Sequence, residues 1–258
     1  MNRFGNRILV EWRTLVEALR FFTRLPLGYA PHDAGLLARS HPCFPVVGAA
    51  VGLILILAFS LVEPALGREL SVLVMLAVGW VLTGGFHEDG FADVCDGVWG
   101  GFTPKRRLEI MKDSRVGTFG SLGLIWLVAM KATALGQIEP GLFGPAVFLS
   151  HVIARASAVL MLAVFPTARS EGGGRSSLFV GPPTWSGGVA TLVVTSLLTM
   201  WLPCGLAGVV VTTAVSLLCG LWFLRTLGGI NGDTLGATNQ LSELAVMLCF
   251  VVGTPAAS

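Results

Sequence analysis

GGFHEDGFADVCDGVWGGFTPKRRLEIMKDSRVG, residues 84–117, holds Glu88, Asp89, Asp93, Asp96, Glu109 and Asp113, six of the fifteen acidic residues in the chain. Lys105, Arg106, Arg107, Lys112 and Arg115 stand in the same stretch, and long apolar runs flank it on both sides. Read as a helix from Phe86 to Asp96, it sets Asp89, Asp93 and Asp96 at i, i+4 and i+7 on one face. Three stacked carboxylates repel one another, and the ladder is costly unless a cation neutralises it. Hard oxygen donors, with Glu88 as a further candidate ligand, suit Mg²⁺, or Mn²⁺ in its place, rather than zinc. Downstream, Lys112 and Arg115, with Asp113 between them, supply cations of the kind that grip phosphate. Carboxylates, a divalent metal and basic groups are the parts of phosphoryl transfer. The competing reading is a solvated acidic loop. Gly84, Gly85, Gly90, Gly97, Gly100 and Gly101 weigh against that reading, because they let backbone approach a ligand closely.

Working outward, the rest of the chain is a membrane protein. It is 53% hydrophobic and 12% charged, against about 25% charged in soluble domains, and its mean hydropathy is +0.77. The net charge of +2, with no basic tail, gives no nucleic-acid reading. Five scattered cysteines without CxxC spacing read as small core residues. No cleavable signal peptide is expected, because a long Arg-rich stretch precedes the first apolar segment.

That stretch, residues 7–25, places Ile8, Trp12, Leu15, Leu19 and Phe22 at helical spacing among arginines. It predicts an amphipathic helix lying on the membrane surface. Spans are expected at 44–62, 70–86, 116–136, 141–165, 188–202 and 206–224. A shorter apolar run at 244–252 makes the count six or seven. Segments 166–187 and 225–243 read as polar loops within one all-α, polytopic domain covering 1–258.

With the amino terminus inside, fourteen Lys and Arg fall on cytoplasmic segments and only Arg68 outside, a strong positive-inside bias. The same layout brings 84–117, Glu171 and Arg175 of one loop, and Asp233, Asn239 and Glu243 of the other, to one face. Arg155 lies within a span, where an ionisable group is functional by default; pairing with an acid on a neighbouring helix is the alternative. For Asp233 the alternative is a turn-forming role after Gly232. His87 reads equally as a metal ligand, a substrate contact or a structural histidine.

The sequence closely resembles the cobalamin synthase (adenosylcobinamide-GDP ribazoletransferase) family along nearly its whole length. The residues that carry the resemblance are FFTRLPL (21–27), HPCFPVVGAAVG (41–52), GGFHEDGFADVCDG (84–97), EIMKDSRVGTFG (109–120), ARAS (154–157) and GDTLGATNQLSE (232–243). The resemblance implies a multi-pass enzyme of the bacterial inner membrane, its active site facing the cytoplasm, that uses Mg²⁺. Its substrates would be adenosylcobinamide-GDP and α-ribazole or the 5′-phosphate, and its products adenosylcobalamin or its phosphate plus GMP. Asp89, Asp93, Asp96, Lys112 and Arg115 would be catalytic, with no residue assigned as base. His87, Asp113, Arg155, Glu171, Arg175, Asp233, Asn239 and Glu243 would contact substrate. A homo-oligomer and other enzymes of the cobalamin pathway are candidate partners. The reading from another class is a transporter or channel, which would set its acids at the bilayer midplane.

Overall fold

In the computed structural model, which describes residues 3–28, 31–168 and 181–253, the chain forms helices joined by short turns, with no strand among the described residues. The helices are α1 (Arg3–Phe22), α2 (Ala34–Leu37), α3 (Phe44–Thr83), α4 (Phe86–Gly100), α5 (Pro104–Ile110), α6 (Thr118–Gln137), α7 (Pro140–Val164), α8 (Trp185–Thr199), α9 (Gly205–Leu227) and α10 (Gly232–Gly253).

The two spans expected at 44–62 and 70–86 are the two arms of α3. They meet at Gly67, whose φ of 70° and ψ of 168° break the helix, a backbone shape that a Cβ disfavours. Leu55 of one arm lies against Gly79 of the other, so the arms fold into an antiparallel hairpin. Arg68 fastens the bend: its guanidinium donates to the carbonyls of Leu135 (2.8 Å) and Ile138 and sits 5.1 Å from the Phe143 ring. At the other end, Phe44 packs edge-on to Phe22, and Arg24 N–H donates to Leu82 O at 2.7 Å.

Among the described residues, five helical stretches are long and apolar enough to cross a bilayer, and the longest of them is this hairpin. The fifth expected span becomes α8, whose 15 residues reach about 22 Å, short of the ~30 Å hydrocarbon core. With the arms of α3 counted separately and α8 included, the apolar helices number seven among the described residues, within the range expected.

The largest departure is at 225–243. It is not a loop: Arg225 lies in the last turn of α9, a turn follows, and α10 runs from Gly232 through the short apolar run to Gly253. Glycines and small polar residues gave 232–243 the look of a loop, yet here they let helices approach closely. Thr238 turns its hydroxyl back onto Thr234 O at 2.8 Å, and Gly90 of α4 lies against the Asp233 backbone. A reciprocal cap starts α10: Thr234 N–H donates to Asn231 Oδ1 (2.9 Å) and Asn231 N–H to Thr234 Oγ1 (2.8 Å).

Helix α1 starts earlier and ends sooner than the 7–25 expected. Ile8 and Trp12 are exposed, as a lipid-facing stripe requires, whereas Thr14, Glu17, Ala18 and Phe22 are buried against the body. A helix lying only on the surface would not bury Glu17; here His32 and Arg20 pair with it.

Candidate active site

Asp89, Asp93 and Asp96 do lie on one helix, α4, and the start of α10 brings Asp233 to them. Gly90 makes this possible, because a Cβ there would stand 2.9 Å from the Asp233 backbone. Asp89 is exposed, while Asp93, Asp96 and Asp233 are half-buried. Burial, then the charges of Asp233, Asp89 and Asp96, push the Asp93 carboxyl up to about 7. Every one of those effects acts in the same direction. The donor set is oxygen-only and carries surplus negative charge, which suits a hard divalent cation. Among the described residues, no three His, Cys, Asp or Glu side chains are gathered tightly enough to hold one ion as they stand.

Asp96 differs from its neighbours. Its two oxygens accept from Gly117 N–H (2.7 Å) and Gly120 N–H (2.8 Å), so it caps the start of α6 from across the gap. The loop between α5 and α6 carries the exposed Lys112 and Arg115. Asp113 holds Arg115 with a two-pronged contact, Nε to Oδ1 at 3.0 Å and Nη2 to Oδ2 at 2.7 Å. Arg115, Arg106 and Asp96 line one open groove beside the carboxylate face.

His87 and Glu88 point elsewhere, into the interior. There Glu243 Oε2 takes Lys131 Nζ at 2.6 Å, and Glu243 Oε1 lies 3.0 Å from His151 Nδ1 and 3.5 Å from Arg155 Nη1. Gln240 also accepts from Lys131. His87 and Glu88 border the same chamber, and Glu88 keeps one buried oxygen without a partner. The carboxylate ladder is therefore Asp89, Asp93, Asp96 and Asp233, with Glu88 a quarter-turn away among the buried charges.

Of the other candidates, Asn239 lines an adjacent cavity, and Glu171 and Arg175 lie outside the described residues. Glu243 and Arg155 meet each other, as the pairing alternative for Arg155 required. Sequence reading missed Lys131, His151 and Gln240 as a unit. One signal was available: a lysine in the middle of an apolar run needs an acid, and Glu243 lies where such an acid is expected.

The cobalamin-5-phosphate synthase family model matches residues 14–251. A protein of Leptothrix cholodnii named adenosylcobinamide-GDP ribazoletransferase is 36% identical over 95% of this chain and 97% of its own. Proteins of the same name from Bradyrhizobium diazoefficiens and Vibrio cholerae are 37% and 34% identical, each over 90% of both chains. No solved structure matches the chain.

Proposed function

The chain belongs to the cobalamin-5-phosphate synthase family, and from that premise we propose that it joins adenosylcobinamide-GDP to α-ribazole, or to its 5′-phosphate, and releases GMP. The observation that carries this reading is the carboxylate face of Asp89, Asp93 and Asp233, set beside the basic α5–α6 loop. A ribose 3′-hydroxyl of ribazole attacks the phosphorus attached to the cobinamide arm. The new O–P bond forms as the bond to the GMP phosphate breaks, and the hydroxyl proton passes to a carboxylate of the face.

Asp89, Asp93 and Asp233 would hold Mg²⁺ after small side-chain rotations, with Asp96 split between that face and the α6 cap. A bound divalent cation offsets the charge of the pyrophosphate and of the departing GMP. Arg115 and Lys112 hold phosphate oxygens, with Asp113 orienting the Arg115 fork. Among the described residues outside the spans, the basic side chains gather at this end of the bundle and Arg68 alone at the other, so the face is read as cytoplasmic and the membrane as the bacterial inner one. Asp96 lines one groove with Arg106 and Arg115 of the basic segment, which favours transfer over transport.

Purified full-length protein in detergent, given both substrates, should release GMP only when Mg²⁺ or Mn²⁺ is present. No GMP release under any metal condition would reject the reading.

A further inference from the structure

A second cavity adjoins the carboxylate face. Phe21 and Phe22 of α1, Phe44 of α3 and Phe86 of α4 wall it, and Arg155 and Asn239 line it as well. The aromatic rings are already set edge-on to one another: Phe21 to Phe86 at 5.7 Å and Phe22 to Phe44 at 4.8 Å between centroids. As it stands the cavity is about 50 Å³, less than a flat aromatic ring needs, and Phe86, 43% exposed, is the wall that would turn outward to admit one.

Its polar content is small and specific. Arg155 and Asn239 are each 2% exposed, and Arg155 Nε and Asn239 Oδ1 have no hydrogen-bond partner. Buried polar atoms are costly to leave unpaired, so Arg155 Nε offers a spare donor and Asn239 Oδ1 a spare acceptor, with the His87 ring lining the cavity beside them. The donor calls for a ring nitrogen with a free lone pair, the acceptor for a hydroxyl. A benzimidazole nucleoside supplies both: one unsubstituted ring nitrogen on an otherwise apolar base, and ribose hydroxyls. Guanine, with donors and acceptors along most of its edge, would lose hydrogen bonds to water that phenylalanines cannot replace.

The cavity is also oriented. Phe86 stands one helical turn before Asp89 and two before Asp93 on the same side of α4, which sets this wall of the cavity next to the carboxylates. Gly232, beside Asp233, borders it from α10. We propose that this phenylalanine-walled cavity seats the aromatic base of α-ribazole, with Arg155 Nε on the ring nitrogen, Asn239 Oδ1 on a ribose hydroxyl and the attacking ribose edge toward Asp89 and Asp93. The identity of the occupant rests on the ribazole-transfer reading.

The test is calorimetric binding of α-ribazole alone, and separately of GMP, to the full-length protein in detergent. The variants are Phe86→Ala, which removes a stacking wall, and Ala158→Leu, which adds bulk to the cavity lining. Each variant should weaken α-ribazole binding at least about tenfold, the scale of losing one ring–base stack, and leave GMP binding within about twofold. Thermal unfolding midpoints report whether each variant is folded. If Ala158→Leu is not, Phe86→Ala decides, because Phe86 is 43% exposed and its removal opens no core. Unchanged α-ribazole binding, selective loss of GMP binding, or a parent protein that binds no α-ribazole would each overturn the assignment. A parent that binds α-ribazole in this manner yet releases no GMP would instead reject transfer and leave the cavity assignment standing.

Discussion

Two groups of charges lie within a few helical turns of each other, and they are built on opposite terms. Around Glu243 the acid meets cations, Lys131 at 2.6 Å and Arg155 at 3.5 Å, with His151 Nδ1 at 3.0 Å, all buried. Around Asp93 the neighbouring charges are carboxylates, and they drive its proton affinity upward. In the first group the fold itself supplies the counter-charges of Glu243. The second is complete only when something positive arrives. A structural ion cluster and a ligand-binding one can thus be told apart by whether the fold supplies the counter-charges itself.

Substitutions at the two centres should therefore fail in different ways. Glu243→Ala leaves Lys131 and Arg155 buried without their acid, a loss on the order of 3–5 kcal/mol. Little folded protein should be recovered, as size-exclusion profiles and thermal unfolding would show; a variant as stable as the parent would mean that the cluster is not structural. Asp93→Asn should do the reverse. It removes one repelling charge, so folding should be intact or slightly improved. GMP release should fall at least about a hundredfold, roughly 2.7 kcal/mol of transition-state stabilisation. A well-folded Asp93→Asn protein with parental turnover and metal dependence would end the metal reading of this residue.

How much of this the sequence discloses follows the same division. Asp89, Asp93 and Asp96 were legible as a ladder because they lie on one helix at a fixed spacing, and a local period needs no tertiary information; Asp233 joins them only when α10 packs on α4. The hairpin was legible as two spans, since Pro64 and Gly67 interrupt a long apolar run. The Glu243 cluster was not, because Lys131 and Glu243 are far apart in sequence and meet only when α6 packs on α10. Helix α10 was hidden for a related reason. Thr234, Thr238, Asn239 and Ser242 are polar and read as loop, but all four are buried in helix–helix contacts. The dual use of Asp96 was equally invisible, since its partners are the amides of Gly117 and Gly120.

Asp96 lies between the two regimes and sharpens the contrast. Its carboxylate is partly spent on the start of α6, so Asp96→Ala should cost stability of about 1–2 kcal/mol, the usual loss of a helix-capping acceptor. Any fall in turnover should come with this loss of stability, unlike Asp93→Asn. An Asp96→Ala protein with the parental unfolding midpoint would show that the capping contacts contribute nothing.

The smallest expected effect is one of pH. Burial and the three neighbouring carboxylates raise the Asp93 carboxyl from an ordinary 3.8 to about 7. Between those values the folded, cation-free protein holds a proton that the unfolded chain has released. Its stability therefore declines as pH rises from about 4 to about 7 and is level beyond that. A divalent cation must displace this proton, so below pH 7 its apparent affinity should rise about tenfold per pH unit and flatten above. Titrating Mn²⁺ into the parent protein at pH 6, 7 and 8, with binding followed by electron paramagnetic resonance, measures that slope. Asp93→Asn lacks this proton and should bind more weakly, with a shallower pH dependence. The Glu243 cluster, already neutralised from within, predicts no such slope, so equal affinities at all three pH values would place the cation away from Asp93.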